Sequence, residues 1–297
     1  MSWTIESAQT TKVIDGVPFA YHVAGDGEPL IMLHGSGPGV TAWSNFRDNL
    51  PVFAERFRTV MPDLPGFGGT GLPPLDDAYP RVAARWIARL MDELGFESAV
   101  FVGNSMGGAV AAELAVAAPE RVRRMALMGS GGLSVGIFQT EPSEGFQRLF
   151  EFLGEPTRER MVGWLRTMVF DHTRITDELV DERLRNATAD GVLDRTRAIF
   201  GSMFNPQAAT TPPLWTRAST VTTPTLLLWG RDDRMLPYDQ AHFATRWLPN
   251  VELHTFSRCG HWIQIERKTD FERVVTEFLT RKESATGDGT REQEVRA

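Results

Sequence analysis

The sequence predicts an α/β fold, a mostly parallel sheet with helices on both faces and an inserted helical lid. Three observations predict it. Short apolar runs alternate with helical stretches along the chain. That rhythm stops between about Gly136 and Pro213, where helical spacing takes over. And Ser105 stands in a glycine-flanked turn between an apolar run and a stretch of small residues, a position that open α/β sheets use for chemistry.

The elements follow in order. Lys12 to Val23, divided by Asp15-Gly16, reads as an opening antiparallel hairpin. Leu30 to Leu33, Thr59 to Met61, Ala99 to Val102, Met125 to Met128, Thr225 to Trp229 and Val251 to Phe256 are the recurring apolar runs, read as strands of a parallel sheet because helical stretches separate them. In the lid, Phe146, Leu149, Phe150 and Leu153 predict one apolar helix face, and Met161, Trp164, Leu165 and Met168 another. Thr211-Pro212-Pro213 marks the return to the core, since proline pairs end helices. The expected organisation is a core over 1–135 and 213–282, a lid over 136–212, and a polar, disordered tail over 283–297.

Composition narrows the function classes. A length of 297 residues, 42% hydrophobic and 23% charged, suits a globular enzyme with a sizeable core. A net charge of −7 argues against a nucleic-acid partner. No apolar run reaches membrane-spanning length, and the first residues lack the basic and apolar regions of a signal peptide. One cysteine, Cys259, fits a reducing cytoplasm. The expectation is a cytoplasmic protein acting on a small molecule, with no membrane partner.

Gly103-Asn104-Ser105-Met106-Gly107 is a G-x-S-x-G match with strand before it and helix after it, the context of a nucleophile elbow. Gly132-Leu133-Ser134-Val135-Gly136 fits the same pattern, but Ile137 to Pro142 shows no elbow helix, so Ser134 is rejected. A serine hydroxyl needs a base, and the base needs an orienting acid. On this type of fold the chain order is serine, acid, histidine. That order removes His22, His34 and His172; His242 and His254 fall within a helix and a strand. His261 follows the last strand directly and is the predicted base. Of the adjacent carboxylates after Trp229, Asp233 is the predicted acid and Asp232 its solvated neighbour. The predicted oxyanion donors are the backbone N–H groups of Met106 and of Ser36, in the glycine-rich loop His34-Gly35-Ser36-Gly37-Pro38-Gly39.

Other features read as structural. Gly66 to Gly71 fits G-x-G-x-x-G, yet Leu72-Pro73-Pro74 follows where a phosphate-binding helix would have to begin. Cys259 reads as a buried cysteine, and no Cys or His cluster has metal-ligand spacing.

With these residues placed, the chain resembles the meta-cleavage product hydrolases, carbon–carbon bond hydrolases of bacterial aromatic- and steroid-ring degradation in the α/β-hydrolase superfamily. The resemblance is carried by His34 to Gly39, Gly103 to Gly108, Gly230-Arg231-Asp232-Asp233-Arg234 and Cys259-Gly260-His261-Trp262-Ile263-Gln264-Ile265-Glu266, and it runs to about Leu279. It implies a 2-hydroxy-6-oxo-hexa-2,4-dienoate substrate, no cofactor, no metal and a homo-oligomer. It also implies that Arg183, Asn45 and Asn104 hold the carboxylate and 2-oxo end while Trp262 packs on the dienoate. Gly35, Met168 and Met235 complete the expected substrate contacts. The alternative for Arg183, among Asp181, Glu182 and Arg185, is a solvated charge. Phe146, Phe150, Met161, Trp164, Met168, Phe170 and Met235 are the expected apolar wall, suited to a bulky C6 group. A carboxylesterase or lactonase would need the same triad without Arg183. Dehalogenases and epoxide hydrolases of this fold carry aspartate where Ser105 stands.

Overall fold

The computed structural model describes residues 9–134, 141–204 and 211–281. The expected tail over 283–297 lies outside these residues, as do 136–140, where the lid is expected to begin. Eight strands form one sheet: β1 (Gln9–Ile14), β2 (Val17–Ala24), β3 (Glu28–Leu33), β4 (Phe57–Pro62), β5 (Ala99–Asn104), β6 (Val122–Met128), β7 (Thr225–Gly230) and β8 (Val251–Phe256). Their order across the sheet is β1-β2-β4-β3-β5-β6-β7-β8. β1 pairs antiparallel with β2, and β2 with β4; every pairing from β4 to β8 is parallel.

Burial explains the sequence pattern. β5 and β7 are buried at every residue, so neither face asks for a polar side chain. β8 lies at the sheet edge and alternates, with Glu252 exposed. One apolar cluster fills one face of the sheet beneath the helices Tyr79–Glu93 and Met106–Ala117. A second fills the other face, against Ala42–Phe46, Leu50–Ala54 and Lys268–Thr280.

Between β6 and β7 stand the helices Glu144–Gly154, Arg158–Met168, Asp177–Thr188 and Val192–Phe204. Their inner sides share a third cluster with Trp229, Met235, Leu236 and Trp262 of the core. Ser143, Thr157 and Thr176 cap the first three by accepting backbone N–H bonds. The first lid helix differs from the sequence expectation: Leu149, Phe152 and Leu153 are its buried apolar residues, whereas Phe150 is 41% exposed. Apolar residues at 146, 149, 150, 152 and 153 cover more than one face, and periodicity alone does not choose among them. The structure turns 149, 152 and 153 inward; Phe146 and Phe150 stack on each other at 6.0 Å along the flank. No described helix is long and apolar enough to cross a membrane.

Candidate active site

The carboxyl ends of the parallel strands converge on one cavity, as the fold dictates. The cavity is lined by Gly35, Ser36, Asn45, Asn104, Ser105, Met168, Arg183, Met235, His261 and Trp262 among others. Each of these was expected at the site. Met106 and Asp233 do not line it; the first would contribute a backbone N–H, and the second lies behind His261.

Ser105 closes β5 and opens the helix Met106–Ala117 with φ 55° and ψ −114°, a conformation that L-residues rarely adopt. Its N–H donates to Met128 O at 2.8 Å, and its carbonyl accepts from Gly131 N at 3.0 Å, so the end of β6 and the loop after it pin the turn on both sides. The glycines of the elbow are steric necessities. A Cβ at Gly107 would lie 2.1 Å from Leu33 O, and one at Gly103 would lie 2.7 Å from Gly108 Cα.

His261 Nδ1 bonds Asp233 Oδ2 at 2.7 Å, with both side chains buried. Asp233 Oδ1 accepts from the N–H groups of Met235 and Leu236 at 2.8 and 2.9 Å. The carboxylate is thus held by the turn after β7, one oxygen per task. Asp232 faces away: its carboxylate lies 3.4 Å from Cys259 N and 3.6 Å from the exposed Arg231.

The sequence reading passed over several supports. Gly129 has φ 46°, and a Cβ there would lie 2.8 Å from His261 Nδ1 and 3.1 Å from Asp233 Oδ2, so its bareness makes room for the pair. His34 accepts from Leu64 N–H through Nε2 at 2.9 Å, which leaves Nδ1 to donate to Gly35 O at 2.6 Å. Burial pushes its pKa down to about 4, so the neutral ring anchors the loop that carries Ser36. Glu266 accepts from Gly260 N at 2.6 Å and from Phe170 N and Asp171 N at 2.8 and 2.9 Å. The N–H groups of His261 and Trp262 donate to Met168 O at 2.8 and 3.1 Å. Four bonds therefore stitch the lid segment 168–171 to the histidine loop and the short helix after it, and the Gly260–Glu266 bond braces that loop internally. A spacing pattern does not show the bonds that join segments distant in sequence, such as His34 to Leu64 and Glu266 to 170–171.

Arg183 is not a solvated charge. It is 1% exposed, on the helix Asp177–Thr188, and its guanidinium lies 5.2 Å from the ring centroid of Trp262. Among the described residues its Nε and Nη1 find no hydrogen-bond partner. Burial lowers its pKa to about 10, opposed by nearby Glu182 and assisted by Arg47, so the group stays cationic at neutral pH. A buried, unpaired cation is costly, and an anionic ligand repays the cost. Asn45 Nδ2 is likewise buried without a partner. Thr41 and Ser44 form a capping box that fixes the short helix Ala42–Phe46 on which Asn45 sits.

The expected apolar wall is corrected in part. Trp164, Met168 and Met235 line the cavity and Leu149 joins them, whereas Phe146, Phe150, Met161 and Phe170 do not. Met161 is wholly buried within the lid cluster, and Phe170 is 42% exposed. Cys259 is buried, which pushes its thiol well above the usual range and leaves it unreactive. Ser134 donates to Gln240 Oε1 at 2.8 Å, on the loop after β6. The glycine-rich loop after β4 closes on Asp63, whose carboxylate accepts from Ala42 N and Gly69 N at 2.7 and 2.9 Å.

Comparison with known proteins agrees with this geometry. Residues 28–268 match the family model described as alpha/beta hydrolase fold. The chain is 38% identical over 257 residues to the 2-hydroxy-6-oxo-6-phenylhexa-2,4-dienoate hydrolase of Burkholderia cepacia, covering 86% of this chain and 89% of the relative. It is also 38% identical, with the same coverage, to the 2-hydroxy-6-oxononadienedioate/2-hydroxy-6-oxononatrienedioate hydrolase of Comamonas testosteroni. Among solved structures, the 2-hydroxy-6-oxo-6-phenylhexa-2,4-dienoate hydrolase of a Rhodococcus species superposes with a TM-score of 0.82 at 31% identity, over 91% of this chain and 97% of that one.

Proposed function

The chain belongs to the α/β-hydrolase family and, within it, to the meta-cleavage product hydrolases, and from that premise we propose how its residues cleave the carbon–carbon bond of a 2-hydroxy-6-oxo-hexa-2,4-dienoate. The observation that carries the reading is Arg183: a buried guanidinium whose Nε and Nη1 have no hydrogen-bond partner among the described residues, in the cavity that Ser105 and His261 share. An ester needs no such group; a dienoate carboxylate pairs with it bidentately.

The chemistry follows from the arrangement. Arg183, Asn45 and Asn104 hold the carboxylate and C2 oxygen while Trp262 packs on the dienoate. Ketonisation moves the proton from the C2 hydroxyl to C5, leaving a C2 carbonyl conjugated with the C3–C4 double bond. His261 takes the Ser105 proton, and Oγ attacks the C6 ketone. The resulting oxyanion is met by the N–H groups of Ser36 and Met106, each worth about 2.7–4 kcal/mol if lost. When the tetrahedral centre collapses, the C5–C6 bond breaks and its electron pair passes through the C3–C4 bond to the C2 oxygen, which is protonated to give 2-hydroxypenta-2,4-dienoate. Water then hydrolyses the acyl-serine to a carboxylic acid.

The test is direct. A yellow 6-phenyl dienoate is expected to bleach on mixing with the enzyme, giving hydroxypentadienoate and benzoate. Turnover of simple aryl esters alone would instead identify a carboxylesterase or lactonase.

Leu149, Met168 and Met235 line the cavity with apolar side chains, and Arg183 is the only arginine or lysine among the described lining residues. A neutral, apolar C6 group is therefore the better fit. Each buried methylene contributes about 0.8 kcal/mol, so a phenyl group is expected to raise kcat/KM over methyl by powers of ten where it is enclosed. A 2-carboxyethyl group at C6, whose charge would meet no cation there, is expected to fall below phenyl as well. Steady-state rates on the three dienoates decide this, and a methyl or carboxyethyl preference defeats it. Membership of the family also supports a homo-oligomer and a cytoplasmic place, tested by light scattering and cell fractionation.

A further inference from the structure

Arg183 and Asn45 are joined by a third buried group that lines the cavity and has a donor to spare. Trp164 is 2% exposed on the helix Arg158–Met168, and its Nε1 is buried with no hydrogen-bond partner among the described residues. Indole N–H is donor-only, and a buried tryptophan ordinarily finds it an acceptor. Leaving it unmet is a standing cost that a ligand oxygen removes.

The surroundings hold the ring in place. A Cβ at Gly37 would lie 2.3 Å from Trp164 Cη2, so the bare glycine seats the indole against the loop that also carries Ser36. Trp164 meets Trp262 edge to face, with ring centroids 6.0 Å apart and planes at 77°. Trp262 in turn carries the Arg183 guanidinium over its ring. Trp164 therefore belongs to the Arg183 end of the cavity, and the acceptors brought there are the carboxylate and C2 oxygens.

Resting on the reaction assigned above, we propose that Trp164 is a binding residue for the dienoate, donating its indole N–H to the carboxylate or C2 oxygen beside Arg183. The competing role is packing alone, with the N–H directed at the Trp262 ring. Trp164→Phe separates them, because it keeps an aromatic ring and deletes the donor. It is expected to lower kcat/KM for the 6-phenyl dienoate on the order of ten-fold or more, as for a lost hydrogen bond to a charged group. Hydrolysis of p-nitrophenyl acetate, which lacks the carboxylate end, is expected to fall far less than dienoate hydrolysis, and an unchanged thermal melt shows that the variant is folded. Trp164→Leu, which also removes the ring, is expected to slow both substrates. Unchanged dienoate turnover in Trp164→Phe, or an equal fall on dienoate and ester, overturns the proposal. A wild-type enzyme that leaves the dienoate untouched defeats the reaction assignment, and this proposal with it.

Discussion

Ser105→Ala is expected to lower kcat for dienoate hydrolysis by about a million-fold, the loss seen when a serine nucleophile is removed. Binding is expected to survive. Alanine keeps the Cβ that the elbow already accommodates at φ 55°, so the backbone bonds to Met128 and Gly131 have no reason to move. Arg183, Asn45 and Trp262, which hold the substrate in this reading, are untouched. The variant should therefore bind the yellow dienoate and hold it uncleaved. Its visible absorbance, followed over hours at an enzyme concentration above that of the substrate, is the measurement. Bleaching near the wild-type rate would remove Ser105 from the mechanism.

The elbow was legible for a physical reason. Its requirements are local: a buried strand, a turn with no room for Cβ at 103 or 107, and a helix of small residues packed on that strand. The same holds for the loops after β3, β7 and β8, since an apolar run marks the strand and the next few residues must lie at its carboxyl end. Contacts made across the chain left no such trace. Gly129 matters because it borders His261 and Asp233, 104 residues or more away in sequence. Glu266 matters because its two oxygens reach both Gly260 and the 170–171 segment. His34 was set aside as too early in the chain to be the base; its two ring nitrogens instead fix Leu64 and Gly35.

The lid was legible in kind but not in rotation. Its helical spacing distinguishes it from the strand-rich core, yet only the third dimension chooses Phe152 over Phe150 as a buried residue. Of that first lid helix, only Leu149 among the described residues then lines the cavity. The ambiguity over Arg183 had the same origin. Surrounded in sequence by charges, it reads as a surface residue until the helix Asp177–Thr188 is docked, which leaves it 1% exposed while Asp181 stays in solvent.

Asp233→Asn is expected to reduce kcat by about ten-thousand-fold, the scale for an orienting aspartate in a serine triad, while Asp232→Asn leaves most activity intact. The two carboxylates are neighbours, so the comparison isolates geometry. Asp233 Oδ2 lies 2.7 Å from His261 Nδ1, and Oδ1 is fixed by two backbone N–H groups. For His261 to take a proton from Ser105 at Nε2, that nitrogen must be the bare one, with the ring proton on Nδ1. A carboxylate can only accept, so it selects this tautomer and stabilises the imidazolium that forms. An amide at 233 offers N–H₂ from one side. Either that group donates to Nδ1 and forces the proton onto Nε2, the wrong tautomer, or it turns toward the N–H groups of Met235 and Leu236 and leaves donors facing donors. Asp232 has no such duty; its contacts are Cys259 N and Arg231, at the rim of the turn. The two variants, assayed on the 6-phenyl dienoate after matching thermal melts, separate the roles. Equal losses would mean that the turn after β7, rather than one carboxylate, supports the histidine. A larger loss in Asp232→Asn would reverse the assignment.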